Sequence, residues 1–147
     1  MKNRFICIFL IIFCTGIIQG QEAKNVISVG PNVSTQSSLF PNPSPGLSIE
    51  YERIVNNYFS FGVDLGVVMF FNPYIEIQVH YYPANMFYIG LGLGIYYLIL
   101  VPELSPEIGW KINIGKTNSW VLIPSVTARV HNFIILWEIC VKFGYKF

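Results

Sequence analysis

The segment Phe59-Ser60-Phe61-Gly62-Val63-Asp64-Leu65-Gly66-Val67-Val68-Met69-Phe70 decides the fold. Phe59, Phe61, Val63, Leu65, Val67 and Met69 take the odd positions. Ser60, Gly62, Asp64 and Gly66 take the even ones, before Val68 and Phe70. A period of two separates faces in a strand but not in a helix.

The period recurs on both sides. Ile75, Ile77, Val79 and Tyr81 alternate with Glu76, Gln78, His80 and Tyr82. Phe87, Ile89, Leu91, Leu93, Ile95 and Tyr97 alternate with Tyr88, Gly90, Gly92, Gly94 and Tyr96. Ile108, Trp110, Ile112 and Ile114 alternate with Glu107, Gly109, Lys111 and Asn113. Trp120, Leu122, Val126, Ala128 and Val130 alternate with Ser125, Thr127 and Arg129. Ile135, Trp137, Ile139 and Val141 alternate with Glu138, Cys140 and Lys142. Weaker patterns over 25–34 and 46–54 put Ile27, Val29, Leu47, Ile49 and Tyr51 opposite Ser28, Gly30, Asn32, Ser48 and Glu50. That predicts eight strands.

The charges obey the same parity. Asp64, Glu76, Glu107, Lys111, Arg129, Glu138, Lys142 and Lys146 share the polar face, and Arg53, at a strand end, is the exception. A Lys or Arg facing lipid at mid-depth costs about 2–4 kcal/mol. Apolar outside and charged inside therefore predicts an all-β protein, a closed antiparallel eight-stranded up-and-down transmembrane barrel. A soluble sandwich shows the reverse geometry.

Composition alone points elsewhere, with 53% apolar and 12% charged residues. The segment 86–101 could pass for an apolar helix. It is shorter than the roughly 20 residues of a spanning helix, and Gly90, Gly92 and Gly94 spoil its helix propensity.

Turn residues separate the strands. Val55-Asn56-Asn57, Pro83-Ala84-Asn85 and Gly115-Lys116-Thr117-Asn118 are the tight turns, expected on the periplasmic side. The connections at 35–45, 71–73, 99–103 and 131–132 lie at the other end. Aromatic residues are expected to form two girdles. Phe59, Tyr81, Phe87, Trp120, Tyr145 and Phe147 mark one water boundary, and Tyr74, Tyr97 and Trp137 the other.

At the amino terminus, Lys2 and Arg4 precede an apolar run over 5–18, with Ile18-Gln19-Gly20 as a small-residue exit. This is the pattern of a secretory signal peptide over residues 1–20, leaving 21–147 as the barrel. Removing 20 of the 147 residues leaves 127, with 7 basic and 8 acidic side chains and a net charge of −1. Nothing there favours nucleic acid, which calls for a basic excess. Cys7 and Cys14 leave with the signal, so Cys140 has no disulfide partner.

Val141, Phe143, Tyr145 and Phe147 alternate with Lys142, Gly144 and Lys146. This ending resembles the recognition signal that the barrel-assembly machinery reads in bacterial outer-membrane barrels. With the hairpin Tyr82-Pro83 … Phe87-Tyr88-Ile89-Gly90-Leu91-Gly92, it makes residues 25–147 resemble the small opacity-protein and OmpA-like transmembrane barrels. The resemblance implies membrane anchoring, envelope integrity, adhesion or surface exposure, and no catalytic residue. The connections are short for an adhesin, and no peptidoglycan-binding domain follows the barrel.

An eight-stranded barrel is just wide enough for side chains to fill it. Asp64, Glu76, His80, Glu107, Lys111, Arg129, Glu138 and Lys142 are expected to form a paired charge network in the lumen, with acids and bases comparable in number. Inward glycines leave room for Tyr88, Tyr96, His80 and Arg129. Glu76 and His80 share a face roughly 13 Å apart, too far to hold a metal without other strands, so no metal or cofactor is expected. Gly90-x-Gly92-x-Gly94 lacks the turn into a helix of a phosphate loop.

The expected protein is therefore a non-enzymatic, monomeric outer-membrane barrel with a structural or surface-interaction role. Its partners would be outer-membrane lipid, the assembly machinery, and a surface ligand met through the loop 35–45, where Leu39 and Phe40 lie. A minor pore is the alternative, distinguished by stable single-channel currents. A lipid-modifying enzyme would need a nucleophile or base near the outer leaflet, where His131 stands alone. A soluble ligand-binding barrel conflicts with the apolar exterior.

Overall fold

The structure, a computed structural model, describes residues 25–36, 43–68, 72–84, 86–96, 101–115, 119–131 and 134–147. The proposed signal at 1–20, Leu39, Phe40, Tyr97 and most of the 115–118 turn lie outside the described residues.

Nine strands form one antiparallel sheet: β1 Asn25–Gln36, β2 Ser44–Ile54, β3 Phe59–Val68, β4 Asn72–Tyr81, β5 Phe87–Tyr96, β6 Val101–Trp110, β7 Ile112–Ile114, β8 Trp120–His131 and β9 Ile134–Lys146. Each pairs with its neighbour in sequence up to β6, and β9 returns to pair with β1. β6 and β7 both pair with β8. Ile108↔Val126 and Ile112↔Leu122 share one register, four residues on along one strand and four back along the other. β7 is therefore the continuation of β6 past Lys111, and the closed barrel has the eight staves predicted. The seam closes with Asn25 N–H donating to the Phe147 carbonyl and Phe147 N–H returning to Asn25, each at 2.9 Å.

Strands of 10–13 residues suit a tilted membrane crossing of about 9–11 residues. No helix among the described residues is long and apolar enough to cross a membrane. The stretch from Phe87 that could have been helical is β5, with Ile89, Leu91 and Leu93 outside and Gly90, Gly92 and Gly94 inside.

Several strands run further than the turn residues predicted. The 99–103 connection gives up Val101, Pro102 and Glu103 to β6, and Pro73 belongs to β4. Pro31, Pro45, Pro73, Pro102, Pro106 and Pro124 all stand on the outward parity. There each ring adds apolar surface and forfeits a single ladder N–H, so proline here does not end a strand.

The exterior is an apolar wall: Leu47, Leu65, Ile77, Leu93 and Ile139 are 51–65% exposed. Among the described strand residues every Asp, Glu, Lys and Arg except Arg53 and Lys146, both at strand ends, is buried inside. Aromatic residues ring the end where the chain termini meet, with Phe59 against Tyr81 at 5.2 Å, Phe87 against Trp110 at 5.5 Å and Trp120 against Tyr145 at 4.9 Å between centroids. The opposite girdle is corrected. Trp137 faces outward, but Tyr74 has the inward parity of β4 and is buried.

Candidate functional site

The lumen is where the chemistry lies. Every member of the predicted network, Asp64, Glu76, His80, Glu107, Lys111, Arg129, Glu138 and Lys142, is buried there. Glu50 and Glu52 on β2, and Glu103 on β6, join them.

Three bases organise the interior in tiers. Nearest the loop end, Arg129 of β8 forks to carboxylates from three strands: Glu76 at 2.6 Å, Glu103 at 2.5 Å and Glu138 at 3.2 Å. Its guanidinium carbon also lies 4.1 Å from the centroid of the Tyr74 ring. Ser34 Oγ donates to Glu138 at 3.2 Å. In the middle tier, Lys142 of β9 donates to Glu50 on β2 and Asp64 on β3, each at 3.0 Å. Tyr74 Oη adds a bond to Asp64 at 3.2 Å. Toward the termini, Lys111 pairs with Glu52 and donates to Tyr82 Oη at 2.6 Å. Glu52 also accepts from Ser60 and Tyr82. Beside this tier, Tyr88 Oη donates to Glu107 at 2.5 Å.

Lys111 lies between β6 and β7. Its backbone N–H donates to the Met86 carbonyl at 2.6 Å, which continues the β5–β6 register by one residue, and its side chain stays inward.

Glycines make the room, as expected. A Cβ on Gly109 would meet the Tyr88 ring at 2.6 Å, and one on Gly90 would meet His80 Cδ2 at 2.7 Å. Gly66 performs the same service for Tyr74. Cys140 is a free, buried thiol whose Sγ donates to the Pro31 carbonyl at 3.4 Å.

The expected balance of charge does not hold. Among the described residues seven buried carboxylates (Glu50, Glu52, Asp64, Glu76, Glu103, Glu107, Glu138) face three strong bases and one histidine. The excess comes from Glu50 and Glu52 on β2 and Glu103 on β6, which lie in weak or proline-marked patterns where parity is hard to follow. Of six buried side-chain atoms without a hydrogen-bond partner, four are oxygens of Asn32, Asp64, Gln78 and Glu103. The interior is short of donors as well as of positive charge.

Glu76 and His80 are not brought to a common site: Glu76 belongs to Arg129, whereas His80 lies against Glu52, Glu50 and the Tyr88 ring. His80 Nδ1, Ser60 Oγ and Glu52 do come together, but Ser60 donates to Glu52 and its contact with His80 is a long 3.5 Å. Val141, Phe143, Tyr145 and Phe147 all face outward.

No family model matches the chain, and no curated protein matches its sequence. Solved structures do match in fold. The attachment invasion locus protein Ail of Yersinia pestis is 13% identical, with a TM-score of 0.60 over 86% of this chain and 100% of that one. Neisserial surface protein A is 13% identical, at 0.62 over the same shares. The amino-terminal β-barrel domain of Pseudomonas aeruginosa OprF is 9% identical, at 0.62 over 86% and 100%. Ail is also known in complex with the heparin analogue sucrose octasulfate and in a phospholipid bilayer nanodisc. The fold is that of the small eight-stranded outer-membrane barrels.

Proposed function

We propose that this chain is a non-enzymatic integral protein of a bacterial outer membrane, with a structural or surface-interaction role. The inversion of polarity carries the reading: an unbroken apolar wall outside, and every mid-strand charge paired or crowded within. Such a wall loses nothing in hydrocarbon and would aggregate in water.

Residues 1–20 act as the export signal, and outer-membrane lipid is the main partner. The barrel-assembly machinery reads the outward Val141, Phe143, Tyr145 and Phe147. A closed sheet leaves no edge for a second copy to extend, which supports a monomer. The loop end supplies any surface-ligand contact, centred on residues 35–45. The polyanion bound to Ail makes a sulfated or otherwise anionic surface glycan the first class to try.

The tiers of buried ion pairs fill the lumen, so the protein is a plug rather than a channel. Negligible conductance is expected in planar bilayers, and stable single-channel currents would establish the pore instead.

The experiment is fractionation of expressing cells followed by protease treatment of intact cells. Recovery in the outer membrane, with heat-modifiable gel migration and cleavage confined to the loop end, supports the reading. Recovery in the cytosol or in the inner membrane overturns it.

A further inference from the structure

Seven carboxylates against three strong bases leave four buried negative charges without a fixed counter-charge. An acidic cluster alone assigns nothing, but one part of the lumen has a shape that does. Glu50 and Glu52 stand two apart on β2, both inward. Beside them, Gly62 of β3 pairs with Glu52 on one side and with Gln78 of β4 on the other. With no side chain at Gly62, a small gap opens above the sheet. A Cβ placed there would lie 3.3 Å from Glu50 Oε1 and 3.6 Å from Gln78 Oε1. Both oxygens therefore face one space.

The two acceptors have been left there by their neighbours. Lys142 takes the other oxygen of Glu50, at 3.0 Å. Gln78 spends its amide nitrogen on Glu76 at 3.0 Å, which turns its carbonyl oxygen toward the gap. That oxygen is buried without a donor, on a residue 2% exposed. A buried amide oxygen without a partner is destabilising. His80 Nδ1 lies 4.0 Å from Glu50 Oε1 and 3.6 Å from Glu52 Oε1. The ligating atoms of Glu50, Glu52 and His80 all lie within 4.8 Å of one another.

We propose that this gap over Gly62 binds a divalent transition-metal cation, held by Glu50 Oε1, Glu52 Oε1, Gln78 Oε1 and His80 Nδ1. Carboxylate and amide oxygens with one imidazole nitrogen form a borderline donor set suited to Zn²⁺ or Mn²⁺. Neighbouring ligands around a tetrahedral ion at 2.0–2.1 Å stand about 3.3 Å apart. The observed 3.6 and 4.0 Å separations would contract by about 0.3 and 0.7 Å to reach that spacing. Glu52 would keep Lys111 on its second oxygen while loosening its bonds from Ser60 and Tyr82. A dication would supply two of the four missing charges and give the Gln78 oxygen its partner. Lys142 and Lys111 sit on the Oε2 atoms of Glu50 and Glu52, which leaves the two Oε1 atoms for the ion.

The test uses tag-free barrel refolded in detergent near neutral pH. ZnCl₂ alone is titrated calorimetrically, and MnCl₂ is followed by electron paramagnetic resonance. One ion per chain at micromolar affinity is expected. His80→Gln and Gln78→Ala should each weaken binding at least tenfold. Gly62→Ala keeps all four ligands but fills the gap, and should weaken it similarly. His131→Gln removes the other histidine of the chain and should change nothing. Heat-modifiable migration checks that each variant folds, and if His80→Gln does not, wild-type stoichiometry and Gly62→Ala decide. Absence of binding by the wild type at millimolar metal overturns the proposal. So does affinity unchanged by Gly62→Ala and Gln78→Ala, or lost with His131→Gln.

Discussion

Replacing Arg129 with methionine should damage this barrel more than any other single lumen change. The side chain is 1% exposed and holds three buried carboxylates, Glu76, Glu103 and Glu138. Methionine fills much of the volume and supplies no charge, leaving three anions to face one another in a dry interior. Removing one partner of a buried pair costs about 3–5 kcal/mol. At 1.4 kcal/mol per factor of ten, the ratio of folded to unfolded protein falls by between about two and four powers of ten. The upper half of that range is expected, because three acids lose their counter-ion together. Urea unfolding of the refolded protein in lipid vesicles, followed by the fluorescence of its three tryptophans, measures it. Arg129→Lys should recover part of the loss, since one ammonium cannot fork as a guanidinium does. The deficit should shrink toward acid pH, where protonated carboxyls need no counter-charge. A change below about 1 kcal/mol, or a deficit independent of pH, would refute the idea that Arg129 neutralises this tier.

Tyr88→Phe removes the donor to Glu107 and should cost about 1–3 kcal/mol in the same assay, the penalty of an unpaired buried acceptor. Gly109→Val drives a branched side chain into the Tyr88 ring, and a loss of about 1–3 kcal/mol or a failure to refold is expected on gels. Leu93→Arg puts a charge on the outer wall opposite Ile77 and should cost about 2–4 kcal/mol in lipid, whereas Leu93→Ile should be nearly silent.

Period two was enough to separate the two faces of the barrel, because each of the eight staves carries at least three large apolar residues on the lipid side. It also placed the members of the charge network inside without naming their partners. Lys142 and Glu50 are 92 residues apart and Arg129 and Glu76 are 53 apart. Such pairs exist only once the sheet has curled and brought non-adjacent strands across the lumen. Glu52 and Glu103 escaped notice for a local reason. The first lies near the end of a weakly patterned strand, and the second follows Pro102, which reads as a breaker until the outward parity of the prolines is seen. Tyr74 lies near a strand end, which suggests a girdle, but its parity, opposite to Ile75 and Ile77, argues against that.

The seam between the first and last strands makes formation of this cylinder a collective event. Val26 finds Lys146 only after all the intervening chain has been laid down. Until then β1 and β9 each offer a row of bare amide and carbonyl groups, which hydrocarbon cannot solvate. A half-built arc therefore has no comfortable place in a bilayer. Insertion and closure must proceed nearly together, and an escort that shields the two open margins would govern how fast they do so.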